Sequence, residues 1–445
     1  MIEIIEYILI AAFGIGFIVL YTKDSRVRFI SVFAMVVVLS LKSERNAFSF
    51  LEYSAAALFT GSFLFAIVKK KFIENRPFTP NPLFIFYSIF LVWGICIGAI
   101  GIGTGSINIE RWYRDTLLFI SPLFLLPVLY SEMIEEHRDA ERILWWCVVC
   151  LWIIMFVASV VKIRNNVVEA FYAYQIGRTG YDAINGGFMV FIFLSLGMMA
   201  VTAKKRWLFL GGFLISLLSL FLTFVRTSWV STLLFLPVVI FLGERSERKR
   251  GMRFGLLVIA TILILFFSAF LLIPFVRLYS QLALQKFSSS ANLGTDVSLY
   301  NRFVEWRYAF KQIMTSPITG TGFGATYWDY DWLMGVSREA GYIHNAWFAV
   351  LLRTGIVGLT LISIPCIGYF MKGLRLVKST FLTVKEKAYL RAGIASELFV
   401  LIIGYTGSLF LQRGMVIYIA IYWCFIDNLA YKIGERKKLS EWSAL

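Results

Sequence analysis

The stretch LFLTFVRTSWVSTLLF, residues 220–235, carries a single charge, Arg226. On either side run apolar segments at about 207–224 and 228–242, each close to the roughly 20 residues that cross a bilayer as a helix. Almost nothing but Arg226, Thr227 and Ser228 connects them. Two such runs back to back read as a hairpin of membrane helices, because a soluble domain would have to expose one of them to water. The pattern continues in both directions. Further apolar segments lie at about 2–21, 29–41, 50–68, 83–102, 114–130, 143–161, 187–203, 254–275, 355–371, 392–411 and 415–430, separated by charge clusters.

Composition agrees with the local reading. Of 445 residues, 59% are hydrophobic and 16% charged, against about 45–50% and 25% in soluble domains; the mean hydropathy is +0.75. A soluble enzyme, a nucleic-acid module and a disulfide scaffold are excluded. The expected fold is all-α: a polytopic transmembrane helical bundle of 12–13 spans with one long outward loop containing an amphipathic helix. Residues 1–275 supply ten membrane helices and 276–354 the loop. Residues 355–430 supply the last helices, and 431–445 form a basic cytoplasmic tail. The opening residues, with Glu3 and Glu6 and no basic stretch, do not read as a cleaved signal peptide.

The net charge is +16. In a membrane chain, excess Lys and Arg first mark cytoplasmic loops. Of the 43 Lys and Arg, 27 fall in alternate loops and the tail, which makes that set cytoplasmic, and 16 fall on the other face. The second group holds the residues that topology does not explain. Cysteine adds little: Cys96, Cys147, Cys150, Cys366 and Cys424 all lie inside apolar runs, so the Cys147-x-x-Cys150 spacing reads as buried small residues. With only two histidines, His137 and His344, a His-rich metal site is excluded.

The longest outward segment, about 276–341, is too long for a simple helix connection, and such loops are usually functional. Within it, LYNRFVEWRYAFKQIM (299–314) has apolar residues at 299, 303, 306, 310 and 313, which predicts an amphipathic helix packed over the outer mouth of the bundle. Ser298 is the expected N-cap and Pro317 the stop. Pro317-x-x-Gly320-x-Gly322-x-Gly324 follows as a turn-rich stretch, and the chain re-enters the bilayer near His344.

A charge in or beside a span needs a partner or a role. Arg226 reads either as a side chain reaching outer headgroups or as a guanidinium gripping a phosphate. His344, followed by Asn345, reads either as a helix cap or as a proton-transfer group. Arg353 is a second cation in the same run. Arg302 and Arg307 lie on the loop helix, and Arg178 on a Gly-rich outward loop. Together they suit a lipid diphosphate entering sideways from the membrane, its charge held by arginines while His344 acts on a hydroxyl. Walker and Rossmann loops are lacking, which argues against a soluble nucleotide-sugar donor. Asp329-x-Asp331 in YWDYDW is a rival feature, since paired carboxylates can hold Mg²⁺ or Mn²⁺.

These stretches resemble, in order and spacing, the bacterial O-antigen ligase and O-antigen polymerase superfamily. The resemblance rests on VRTSW (225–229), NRFVEW (301–306), SPITGTGFG (316–324) and HNAWFAVLLRTGIVGL (344–359), and covers roughly 170–360. It implies a metal-independent, inverting glycosyltransferase of the GT-C type with no cofactor, in O-antigen, lipopolysaccharide or capsule assembly. Its donor would be an undecaprenyl-diphosphate-linked glycan, at the outer face of the bacterial inner membrane. The acceptor would be another lipid-linked glycan for a polymerase, slightly preferred on how widely its substrates occur, or the lipid A core for a ligase. Membrane lipids and a chain-length regulator are expected partners; nucleic acid is not. By position, His344, Arg226 and Arg302 carry over as catalytic residues, and Arg178, Arg307, Asn345, Arg353 and Trp306 as substrate-binding ones, with no metal ligands. The family's usual twelve spans, against thirteen segments here, put the first two segments in question. The competing reading is a transporter or flippase of an anionic lipid or solute, its arginines lining a path across the bilayer; against it, cytoplasmic-side charges within spans are few, Glu397 and Asp427 being the obvious ones.

Overall fold

A computed structural model of the chain describes residues 19–41, 50–69, 81–173, 180–200, 202–222, 225–272, 277, 281, 297–331, 335–407 and 416–442. The first apolar segment, about 2–21, lies outside the described residues but for 19–21; at the others up to residue 275 the described residues form helices: α1 (Ser25–Leu41), α2 (Phe50–Val68), α3 (Pro82–Gly103), α4 (Ile109–Ile120), α5 (Leu126–Glu136), α6 (Ala140–Ala173), α7 (Gly180–Met199), α8 (Ala203–Leu222), α9 (Arg226–Phe241) and α10 (Arg245–Leu272). The long loop contributes α11 (Val297–Ile313) and a hairpin of β1 (Tyr327–Asp331) and β2 (Val336–Ala340). The chain then returns as α12 (Ala346–Leu376), α13 (Val384–Ile403) and α14 (Ile417–Trp442). It is an all-α polytopic helical protein. By length and apolar composition, Pro82–Gly103, Ile109–Glu136 and Ala346–Leu376 can cross a membrane, and Tyr53–Ala66, Gly186–Met199 and Thr227–Phe241 are shorter apolar helices. Ile109–Glu136 is continuous because a π-helical turn, Ser121–Leu125, joins α4 to α5.

Helices run past the apolar windows because charged residues at their ends are used structurally. At the end opposite His344, Arg28 pairs with Glu132 at 2.7 Å and Lys69 with the same carboxylate at 2.6 Å. Arg391 pairs with Glu247 at 2.7 Å, and Arg436 with Glu386 at 2.9 Å. Several of the positives counted in the alternate loops and the tail therefore tie helix ends together. Asp427, one of the two acids within the apolar segments, belongs to the same end: it accepts from Lys372 and Tyr369. Glu397 is buried in α13.

Two departures from the sequence reading bear on the site. The hairpin was not expected; its strands are five residues each and lack a clear apolar–polar alternation. Ser298 lies inside α11 instead of capping it, since the helix starts at Val297.

The Gly-rich stretch after α11 is a wedge driven into the bundle. Gly320, Gly322 and Gly324 all have positive φ, at 72°, 99° and 85°, a region that residues with a Cβ rarely enter. Thr321 N–H donates to Leu352 O at 2.9 Å, and Gly322 N–H to Arg353 O at 2.8 Å. In return Ile356 N–H donates to Pro317 O at 2.9 Å. α12 kinks at Gly355 (φ 62°) to receive the loop, whose Ile318 carbonyl occupies the place of the missing Cβ. On the other side the loop backbone lies on Gly94 and Gly98 of α3. Phe323 is buried there, stacked on Phe119 at 4.9 Å and edge-on to Phe90 at 5.9 Å.

A methyl group on Gly322 would strike the α3 backbone at Gly98, whereas one on Gly61 meets nothing. Gly322→Ala should therefore lower thermal stability in detergent by about 2 kcal/mol or more. Gly61→Ala should leave it unchanged; equal melting of the two variants would contradict the wedge.

Candidate functional site

Glu305 is the only acid in residues 299–314 and sits on the face of α11 turned toward the chain that leads into α12. It is 7% exposed. Its Oε1 accepts the backbone N–H of His344, and its Oε2 lies 2.7 Å from Nδ1 of the same residue. One carboxylate thus holds both the main chain and the ring of His344. Tyr342 adds an edge-on ring contact at 4.9 Å. With the carboxylate on Nδ1, that nitrogen carries the proton and Nε2 is left as the acceptor. The His344 side chain is 40% exposed, and among the described residues Nε2 has no protein partner. An imidazole held in this way can present Nε2 to a hydroxyl as a proton acceptor.

The support beneath the pair is a buried ion pair. Arg353 on α12 is 2% exposed. Its Nε donates to Asp115 Oδ2 of α4 at 2.5 Å, its Nη2 to Gly341 O at 2.7 Å and its Nη1 to Ala349 O at 3.2 Å. Asp115 Oδ2 also accepts Gly324 N–H at 2.7 Å. Arg353 was expected to bind substrate. The structure gives its donors to the protein instead, and through Gly341 it fixes the strand of chain three residues before His344.

Asn345, also expected to meet substrate, is buried as the N-cap of α12, its Oδ1 accepting from Trp347 N–H at 3.0 Å and Phe348 N–H at 3.1 Å. Trp306 packs between Phe303 (5.4 Å) and Phe348 (6.2 Å), joining α11 to α12. Arg302 is half-buried on the Glu305 side of α11. Arg307 is exposed, and at 100° per residue it lies about 140° around the helix from Arg302, so the two do not converge on one ligand side by side. Arg226 is the first residue of α9; its side chain lies outside the described residues, as does the whole of Arg178. The start of α9 is nonetheless at the His344 end of the bundle. Thr227 Oγ1 accepts from Thr406 at 3.0 Å, the Tyr405 ring lies tilted against Trp347 at 6.0 Å, and Gly404 O accepts Ala346 N–H at 2.7 Å. The turn after α13 therefore bridges the start of α9 to the start of α12.

In the hairpin, Asp329 faces Arg338 across the strands, with Nη2 and Oδ2 3.8 Å apart. Behind them Tyr327 donates to Tyr342 O at 3.0 Å. Burial, with Glu305 and Asp329 nearby, pushes the Tyr327 phenol well above its ordinary range, so it stays a neutral donor bracing the Tyr342 backbone. Asp331 shares the Asp329 face by strand period, but its side chain lies outside the described residues. No cluster of three or more His, Cys, Asp or Glu suited to a metal occurs among the described residues.

Apart from Asp115 and the turn at Gly404–Thr406, the residues that build this site fall inside one family match. Residues 211–363 match the family model described as O-antigen ligase. The resemblance to the O-antigen ligase and polymerase superfamily holds over this segment. It takes in Arg226, α11, the glycine wedge, the hairpin and the Glu305–His344 pair. No curated protein matches the chain.

Sequence reasoning missed Glu305 and Asp115. Glu305 had a usable signal, as the lone acid of an otherwise basic helix within NRFVEW. Asp115, more than two hundred residues from its partner, had none beyond being an acid near the start of a span.

If the Asp115–Arg353 pair supports the site, Asp115→Ala and Arg353→Ala should each destabilise the protein by about 3–5 kcal/mol, because each strands a buried charge or its partners. The double variant should cost clearly less than the sum. Additive losses in thermal unfolding would show that the two side chains act independently.

Proposed function

We propose that this protein transfers a glycan from undecaprenyl diphosphate to an acceptor hydroxyl at the outer face of the bacterial inner membrane. The family match supports glycosyl transfer of the O-antigen ligase and polymerase type. The observation that carries the chemistry is the Glu305–His344 pair, with Nδ1 held at 2.7 Å and the ring partly open.

The acceptor oxygen forms its bond to the anomeric carbon as the bond from that carbon to the diphosphate oxygen breaks. The hydroxyl proton passes to Nε2 of His344, and the bonding electron pair leaves with the lipid diphosphate. A single displacement of this kind inverts the anomeric centre. Glu305 keeps the ring in the accepting tautomer and balances its charge after proton uptake. Arg302, next to Glu305 on α11, and Arg226, at the head of α9, are the cations assigned to the diphosphate, whose charge grows as it leaves. No step requires a metal ion.

The test uses purified full-length protein with an undecaprenyl-diphosphate glycan, with and without a lipid A core acceptor. A glycan ladder formed without core marks a polymerase, and modified core marks a ligase. His344→Ala should lower the rate about 10²–10⁴-fold, and Arg302→Ala about 10²–10³-fold, with expression retained. Activity should persist in EDTA. Full activity of His344→Ala would sink the mechanism, and EDTA loss rescued by Mg²⁺ would transfer the role to Asp329 and Asp331.

A further inference from the structure

Only part of the apolar set of α11 is turned into the protein. Residues 305, 309 and 313 are buried and Trp306 is half-buried, while Phe303 and Phe310 of the same apolar set are exposed. The outward stripe continues through Met314, 56% exposed, to Ile318, 64% exposed. On a water-facing surface this stripe would be costly.

Its depth along the bundle can be read from contacts. Phe310 meets Phe348 near the start of α12 at 6.2 Å. Pro317 O and Ile318 O accept from Ile356 and Val357. The second half of α11 therefore descends beside the first turns of α12. Trp93 Nε1 donates to Thr319 O at 3.3 Å and Thr354 O at 3.2 Å. Trp93 is midway along α3, one of the helices able to cross a membrane. At 1.5 Å per residue, Thr319 lies about 15 Å below the end of α3. The turn at Pro317–Ile318 is thus level with the hydrocarbon part of a span. Ile356 of α12 and Val92 of α3, its neighbours at that level, are themselves exposed apolar residues.

We infer that the end of α11 and the turn at Met314–Ile318 form a re-entrant wedge covered by the acyl chains of the leaflet on the His344 side. The backbone is suited to that place. Non-helical backbone at membrane depth is tolerated only where its polar groups are satisfied within the protein. Here Thr319 O is met by Trp93, while the N–H groups of Thr321, Gly322, Phe323 and Gly324 are met by Leu352 O, Arg353 O, Gly94 O and Asp115. The wedge has a positional consequence. Glu305 is eight residues before the end of α11, about 12 Å further out, which sets the Glu305–His344 pair near headgroup level if the hydrocarbon core is about 30 Å thick. Arg307, on the exposed side one turn beyond Phe303, then lies where lipid phosphates are. The lipid contact is independent of the reaction proposed above.

The test compares single cysteines introduced at Met314 and Ile318 with others at Val92 and Val336, in full-length protein reconstituted in phosphatidylethanolamine–phosphatidylglycerol vesicles. Native-cysteine background is subtracted. Fluorophores at 314 and 318 should be quenched by nitroxide-tailed lipids as strongly as at 92. Their reaction with a membrane-impermeant thiol reagent should be at least about tenfold slower than at 336. Reaction as fast as at 336, without quenching, overturns the proposal. The unsubstituted protein gives a second reading that needs no variant. Met314 and Trp328 are both exposed on the protein surface, yet hydroxyl-radical footprinting in nanodiscs should modify Trp328 and spare Met314. Equal modification would contradict lipid coverage.

Discussion

Asp115 Oδ2 receives two donors, the Arg353 guanidinium from α12 and the Gly324 N–H from the glycine wedge, and much of the site end depends on that meeting. The same guanidinium reaches Gly341 O, just before His344. One buried pair therefore joins α4, α12, the wedge and the chain that presents the histidine. An ion pair in this position is not a cheap source of stability, since removing both charges from water costs several kcal/mol each before their attraction is counted. What it provides is placement. With Arg353 held on three oxygens, the path from β2 into α12 has little freedom, and the His344 ring meets Glu305.

The glycines complete the constraint from the other side. Gly320, Gly322 and Gly355 let two backbones approach more closely than any side chain would permit. The α12 kink is thus imposed by the loop carbonyl at Ile318, with Gly355 as the residue that can accept it. Trp93, Gly94 and Gly98 give α3 the complementary surface. His344 is carried by a loop, but this loop is anchored against the long apolar helices α3 and α12.

Much of this was legible in the residues. Long apolar runs between charge clusters gave the helices, and Arg226 and His344 stood out as polar groups at the ends of such runs. Three features were not legible, for identifiable reasons. What covers each part of the apolar set of α11 was not legible because periodicity shows that a stripe is apolar, not whether protein or lipid covers it; in a membrane both are apolar partners. Arg353 and Asn345 look the same in sequence whether they bind a ligand or satisfy backbone and carboxylate groups, and only the positions of Asp115 and the α12 N–H groups decide. The hairpin was hidden because Tyr327, Asp329 and Arg338 are chosen by cross-strand pairing and by the site behind it, not by a two-sided pattern of burial.

The central claim is that Glu305 and His344 act as one unit in moving a proton. The most direct measurement is a double-mutant cycle on glycan transfer at constant lipid-linked donor, using Glu305→Gln, His344→Ala and the two combined. If the carboxylate works through the ring, each single change slows transfer and the double variant is no slower than His344→Ala alone, since residues acting as a unit are not additive. Multiplicative losses, or a Glu305→Gln enzyme as fast as the unsubstituted one, would contradict the account.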